Sequence, residues 1–291
     1  MKYLITGSSG QLGSAFSHLL ETSGRAFHAL SRNELDISDS GKLLNLVRAI
    51  KPDVIINTAG WTNVDQAELN ESEAMKVNAL AVGSLSEICA AQEVKLVHFS
   101  TDYVFSGEEK ISHKTDSHKN PLNVYGRSKS IGEDLVLSKY PQGSYVIRTA
   151  WLYSRWGRNF AKTITKQALN STLPLRVIAD QIGQPTSALD LAAFTIELVE
   201  NQEGGGVFHG TNSGEASWYQ FACKIFALVG ADIERITPVM SKDFEQVAQR
   251  PKYSVLENNN WDLARTGVMR NWEVALESEI QAIVTFAQKD S

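Results

Sequence analysis

The chain contains no apolar run approaching the roughly 20 residues that a membrane-spanning helix requires. Cysteine is nearly absent. Only Cys89 and Cys223 occur, both in apolar helical contexts, so two buried thiols are expected rather than a disulfide framework or a thiolate metal centre. Proline is scarce, with 7 in 291 residues, and Pro174, Pro185, Pro238 and Pro251 all punctuate the second half. Internal repeats, low-complexity tracts and flexible linkers are missing. So is any excess of positive charge. The formal net charge of −5 argues against a nucleic-acid partner, and an anionic ligand would have to be met by local groups. Met1 leads directly into Lys2–Thr6, too short an apolar stretch for a signal peptide, and the expected location is the cytoplasm, with no membrane partner.

What is present reads as an ordinary soluble composition, 43% hydrophobic and 21% charged. A length of 291 residues exceeds the needs of one nucleotide-binding layer and leaves room for a second, smaller lobe. Short apolar runs alternate with segments of helical period. Lys2–Thr6, Ala26–Leu30, Val54–Asn57, Lys95–Ser100 and Tyr145–Arg148 read as strands. Phe16, Leu19 and Leu20 form an i, i+3, i+4 stripe, and Asp39 can cap a helix whose Leu43, Leu44, Leu46, Val47 and Ile50 face the sheet. Residues 71–91 and 125–140 are helical by the same criterion. The alternation predicts an α/β fold, a Rossmann-type doubly wound parallel sheet over residues 1–150. Beyond Trp151 the rhythm loosens. Helices near 159–170, 187–201 and 217–229 are interleaved with strands at Leu175–Ile178 and Val207–Gly210. Residues 151–291 are therefore expected to form a smaller C-terminal substrate-binding lobe, part of which returns to the main sheet. The polar stretch Ser106–Asn120 is expected to be a surface loop.

Gly7-Ser8-Ser9-Gly10-Gln11-Leu12-Gly13 follows the first strand and opens the first helix. Glycines permit a tight turn and close approach of a pyrophosphate, and the helix N-terminus offers it free N–H groups. This position predicts dinucleotide binding, although the spacing is G-x-x-G-x-x-G rather than G-x-G-x-x-G. Cofactor choice falls at the end of the second strand, Leu30-Ser31-Arg32-Asn33, where no carboxylate stands and Arg32 can pair with a 2′-phosphate. NADPH is favoured, with Glu34 close enough to keep NADH usable. Asp36 and Ile37 could flank the adenine. Asn57-Thr58-Ala59-Gly60, at the end of a central strand, would line the cofactor from the same edge.

Tyr125 and Lys129 lie four residues apart, one helical turn, on one face. A phenol ordinarily titrates near 10, and a neighbouring ammonium is expected to lower that value and fit the pair for general-acid work. This spacing alone recurs by chance. Its weight comes from Ser100-Thr101-Asp102 at the end of the strand one crossover upstream, where Thr101 can donate to a substrate carbonyl.

These residues resemble the extended short-chain dehydrogenase/reductase superfamily and, within it, the dTDP-4-dehydrorhamnose reductase family. The likeness covers nearly the whole chain. It rests on the glycine turn, Lys51-Pro-Asp-Val-Ile-Ile-Asn57, Asn63-Val-Asp-Gln-Ala-Glu68, Val77-Asn-Ala79, Ser100-Thr-Asp-Tyr-Val-Phe105, Pro121-Leu-Asn-Val-Tyr-Gly-Arg-Ser-Lys129, Arg148-Thr-Ala-Trp151, Asn159-Phe-Ala-Lys162, Asp180-Gln-Ile-Gly-Gln-Pro-Thr186 and Arg250-Pro251. The resemblance implies Thr101, Tyr125 and Lys129 as the catalytic set. It further implies Trp151 as an aromatic wall for a sugar, and a substrate zone with Asp102, Asn159, Gln184 and Arg250. Asn78 resembles the helix Asn that supports the Lys through water. Asp102-Tyr103 replaces the Asp-Glu expected of a 4,6-dehydratase, which favours a plain reductase. The implied reaction is reduction of the 4-keto group of a nucleotide-linked 6-deoxyhexose by NAD(P)H, in a monomer or weak homodimer. An epimerase or another nucleotide-sugar ketoreductase remains a rival on the same scaffold. A non-catalytic NADP-binding subunit is disfavoured by the intact Thr101, Tyr125 and Lys129.

Some relatives carry metal-binding carboxylates where Ala15 and Leu189 stand here, so no metal is expected. Asp65 and Glu68 read as solvated acids, and His113 and His118 as solvated loop residues. His98 reads as a satisfied core histidine. Trp218, Trp261 and Trp272 read as packing residues.

Overall fold

A computed structural model describes residues 1–258 and 269–289. The first half runs β1 (Lys2–Thr6), α1 (Gln11–Thr22), β2 (Ala26–Leu30), α2 (Ser40–Ile50), β3 (Val54–Asn57), α3 (Val64–Leu69), α4 (Glu71–Met75), α5 (Ala81–Gln92), β4 (Lys95–Thr101), α6 (Val124–Lys139) and β5 (Ser144–Thr149). A π-helical turn, Lys76–Leu80, joins α4 to α5. The second half continues with β6 (Leu152–Tyr153), α7 (Phe160–Asn170), β7 (Leu175–Ile178), β8 (Ile182–Gly183), β9 (Thr186–Ser187), α8 (Ala188–Asn201), β10 (Gly206–His209), β11 (Ala216–Ser217), α9 (Trp218–Leu228), β12 (Ile236–Val239) and α10 (Trp272–Lys289).

Six strands form one parallel sheet in the order β10-β5-β4-β3-β1-β2. The chain moves outward from β1 to β2, then crosses back to β3 on the other side of β1. That reversal opens a crevice beyond the carboxyl ends of β1 and β3, where open α/β sheets bind ligands. Alternate residues feed opposite faces, as the two-residue strand period requires. Tyr3, Ile5, Ile56, Val97 and Ile147 pack with Phe16 of α1 and Leu191 of α8. Leu4, Ile55, Leu96 and Val146 pack with Leu43 of α2, Leu85 of α5 and Val136 of α6. Each such Leu, Ile or Phe, wholly withdrawn from water, contributes about 1.5–3 kcal/mol of transfer free energy.

The five expected strands lie within one residue of their observed bounds. Asp39 caps α2 by accepting from Lys42 N, but Leu44 lies outside the core to which Leu43, Leu46, Val47 and Ile50 contribute. In the C-terminal half, β10 joins the main sheet beside β5, whereas β7 pairs with β12 in a separate two-stranded ribbon. Cys89 is buried, but Cys223 is only half-buried and both are free. The 106–120 segment is pinned to the core: His113 stacks on Phe105 at 4.2 Å and Thr115 O accepts from Arg148. His113 is therefore half-buried, not solvated; His118 is exposed. Trp272 packs edge-on against Phe221 at 5.7 Å, and Trp261 lies outside the described residues. Among the described residues no helix is long and apolar enough to cross a membrane. None of their acidic, His or Cys side chains cluster in a group of three that could hold a metal.

Candidate active site

The glycine turn works as its sequence position suggests. Gly7 has φ +69°, and a Cβ there would come within 2.7 Å of Ala59 N, so no other residue fits between β1 and β3. Gly10 caps α1 without a side-chain hydrogen bond, leaving the first-turn N–H groups directed at whatever occupies the crevice. Thr58 Oγ1 braces the turn by donating to Thr6 O at 2.6 Å.

A cleft of about 690 Å³ opens from this turn along the strand ends. Gly7, Ser9, Gly10, Gln11 and Leu12 line its beginning, and Arg32, Asp36 and Ile37 line the edge beyond β2. Gly13 lies behind, where a Cβ would clash with Gly7 O. Arg32 is exposed, and no carboxylate is free beside it. Glu34 accepts from Ser31 N and Oγ at 2.9 and 2.7 Å, and Asp36 accepts from Ser38. Thr58, Ala59 and Gly60 form the floor.

Ser100, Thr101, Asp102, Tyr125, Lys129 and Trp151 line the other end of the same cleft. Asn123 positions the first turn of α6, accepting from Gly126 N at 2.7 Å, so Tyr125 and Lys129 project from one helical face. Tyr103 meets the Tyr125 ring edge-on at 5.8 Å. Thr101 Oγ1 donates to Asp102 Oδ1 at 3.0 Å and accepts from Tyr103 N at 3.2 Å. Burial lifts the Asp102 carboxyl to about 6.

The electrostatics depart from expectation at Tyr125. Burial pushes its phenol up to about 12, the neighbouring Thr101 hydroxyl opposes the rise, and Asp102 adds to it. Lys129 does not produce the expected lowering, because its ammonium donates to Phe99 O at 2.6 Å instead. Burial draws Lys129 itself down to about 8 against the pull of Glu133.

The family described as the RmlD substrate binding domain matches residues 1–285. The chain belongs to that family. It is 39% identical over 276 residues to a dTDP-4-keto-6-deoxy-D-glucose reductase of Streptomyces niveus, covering 94% of this chain and 95% of the relative. It is 38% identical over 287 residues to a dTDP-4-dehydrorhamnose reductase of Streptomyces griseus, covering 97% and 94%. The crystal structure of a Bacillus anthracis dTDP-4-dehydrorhamnose reductase in complex with NADP superposes with a TM-score of 0.92 at 33% identity, covering 96% of this chain and 98% of that one.

Not every residue implied by likeness to this reductase family reaches the cleft. Asn159 caps α7: its Oδ1 accepts from Lys162 N at 2.9 Å and its Nδ2 donates to Ser154 O at 2.8 Å. Gln184 is buried with both ends of its amide on the Leu256 backbone. Arg250 pairs with Asp65 at 2.8 Å, and Asp65 also accepts from Ala248 N. Asp65 is thus engaged rather than solvated, and Glu68 accepts from Val124 N at 2.7 Å. Asn78 holds both Trp61 N and Trp61 O and donates to Ser128; it flanks Gly60 with Lys129 but makes no direct bond to the ammonium. His98 is half satisfied, with Nδ1 on Asn57 and Nε2 without a protein partner among the described residues.

Trp151 follows the β5 strand end at φ +44°, a strained backbone for a bulky residue and of the kind that clusters at functional sites. Its indole stacks on Trp218 at 3.5 Å and 5° and abuts Gly183, whose backbone leaves room for the ring. Trp218 lines the cleft and is not mere packing. Its residue type and helix-start position gave no hint of this, since only the fold brings it to Trp151. Arg158 also lines the cleft, and no motif in the sequence points to it.

Proposed function

We propose that the chain is an NAD(P)H-dependent reductase of the 4-keto group of dTDP-4-dehydro-L-rhamnose, giving dTDP-L-rhamnose, with Tyr125 as proton donor. The observation that carries this reading is the convergence of Thr101, Tyr125 and Lys129 with the Gly7–Leu12 turn on one cleft. The donor set suits a dinucleotide phosphate: a glycine cradle that a Cβ would fill, an uncapped helix start, and an exposed Arg32 that makes no ion pair among the described residues, with Asp36 near it held by Ser38. When bound, the nicotinamide supplies hydride to the carbonyl carbon. The chain's own groups handle the oxygen. With its pKa near 12, the Tyr125 phenol holds its proton throughout the neutral range, the form a donor to a developing alkoxide needs. Thr101 has one hydroxyl proton, resting on Asp102, and redirecting it toward the carbonyl oxygen polarises the substrate. Lys129, anchored on Phe99 O, offers its remaining N–H groups to the cofactor ribose. The stacked Trp151 and Trp218 wall the sugar end.

The Streptomyces niveus relative, a dTDP-4-keto-6-deoxy-D-glucose reductase, supports a second reading, reduction of a 4-keto sugar of the other stereochemical series. Following cofactor absorbance with each dTDP-4-keto-6-deoxyhexose, using NADPH and then NADH, separates the readings. Oxidation with the L-rhamnose precursor supports the first, oxidation with the D-glucose series alone supports the second, and tight NADPH binding without oxidation of either refutes both.

A further inference from the structure

Beneath the Tyr125/Lys129 pair the sheet carries polar side chains where apolar ones would otherwise pack. The face that begins with Leu4, Ile55, Leu96 and Val146 continues, two residues at a time, into Thr6, Asn57, His98, Ser100 and Arg148, and all of these are buried. Strand register sets Thr6 opposite Asn57 and Asn57 opposite His98. A step along, it sets Ser100 opposite Arg148 and Arg148 opposite the buried His209. Thr6 Oγ1 donates to Asn57 Oδ1 at 2.7 Å, and Asn57 Nδ2 donates to His98 Nδ1 at 3.2 Å.

Helix α6 lowers three ionisable side chains onto this layer, Tyr125, Lys129 and Glu133, at successive four-residue steps on one face. The Glu133 carboxylate has no exposed surface. Arg148 grips it through Nε and Nη2 at 2.9 and 2.7 Å, and Lys119 Nζ approaches at 3.3 Å. A buried ion pair of this kind adds little stability over well-packed apolar side chains, so stability alone is a weak reason for its presence. Its location supplies a better one. The Lys129 ammonium rests on Phe99 O, next in the strand to Ser100, and Ser100 lies opposite the arginine that holds Glu133.

We propose that Glu133 is a positioning residue for Lys129: its carboxylate, fixed from β5 by Arg148, holds the ammonium in place beside Tyr125. The charged and titratable groups around Lys129 are Tyr125 and Glu133 on α6, His98 on β4, Asp102 just beyond its end, Arg148 on β5 and Lys119 from the segment before α6. Two are competing cations. His98 is kept neutral by burial, with the Lys129 charge acting in the same direction. The Glu133 carboxyl stays below its ordinary range, burial being outweighed by Arg148, and so supplies the anion that opposes deprotonation of Lys129.

The inference rests on the dinucleotide reading of the cleft, and NADPH binding tests it without any sugar substrate. Affinity is measured by cofactor fluorescence against pH for the full chain, for Glu133→Gln and for Lys119→Met. Wild-type affinity should fall as Lys129 loses its proton, near pH about 8. In Glu133→Gln the midpoint of that fall should move down by about one pH unit. In Lys119→Met, which removes a competing cation, it should move up, and this arm remains readable should the first variant fail to fold. A merely structural staple would weaken binding equally at every pH, and midpoints that do not move overturn the inference while leaving the dinucleotide reading intact. A wild-type chain that binds no dinucleotide overturns both.

Discussion

Replacing Gly183 with alanine tests whether the tryptophan pair shapes the sugar end of the cleft. The added methyl would stand 2.5 Å from Trp151 Cε2, 2.6 Å from Nε1 and 2.8 Å from Cζ2, where ordinary contact begins at 3.4 Å. The indole must therefore retreat by roughly 0.9 Å, the difference between those limits. It cannot do so alone, because Trp218 lies parallel at 3.5 Å and Phe160 tilts against Trp218 at 4.6 Å. Overpacking of this kind costs about 1–3 kcal/mol and should lower Tm by a few degrees. A wall displaced by about an ångström should raise KM for the nucleotide sugar about tenfold or more. NADPH affinity should stay within about twofold, because the cradle is built from β1 and α1 instead. The assays are steady-state kinetics with the sugar varied, NADPH fluorescence titration and thermal melting. A folded variant with unaltered sugar KM would refute the role assigned to the tryptophan pair, and an unaltered Tm would refute the packing argument.

Asp102→Asn should stabilise the protein in a pH-dependent way. Burial raises the wild-type carboxyl from 3.8 to about 6, so the folded state favours the neutral acid, and its contribution is lost as pH rises from about 4 through about 6. The neutral amide escapes that loss, gaining up to about 3 kcal/mol above pH 6 and nothing near pH 4; urea midpoints across that range measure it, and a pH-independent difference would contradict the sign. Asn159→Ala should cost about 1 kcal/mol of stability through the lost cap, with sugar KM within about twofold, and a large KM change would restore Asn159 to the substrate zone.

The sheet was legible because β1, β3, β4 and β5 are short apolar runs bounded by helical segments, and buried parallel strands leave that pattern. Thr101 could be placed at the cofactor edge for the same reason, since residues at carboxyl ends of neighbouring strands share one edge. The substrate zone was not legible to the same degree. Asn159, Gln184 and Arg250 belong to the resemblance, yet a motif letter does not reveal whether a side chain is already engaged by a helix cap, a loop backbone or a distant acid. An Asn directly before a helical stripe was itself a cap signal for Asn159. The Arg250–Asp65 pair joins residues 185 apart, and no local pattern announces it. Tyr125 shows a further limit. Spacing placed a cation one turn from the phenol, but only the fold shows the ammonium directed to Phe99 O and burial dominating the phenol's pKa.

Turnover of Tyr125→Phe, measured beside its NADPH affinity, bears most directly on the proposed chemistry. The substitution removes one hydroxyl from a folded cleft, so NADPH affinity should be retained while turnover falls about 10²- to 10⁴-fold. Turnover equal to that of the unsubstituted chain would contradict the assignment of Tyr125 as proton donor.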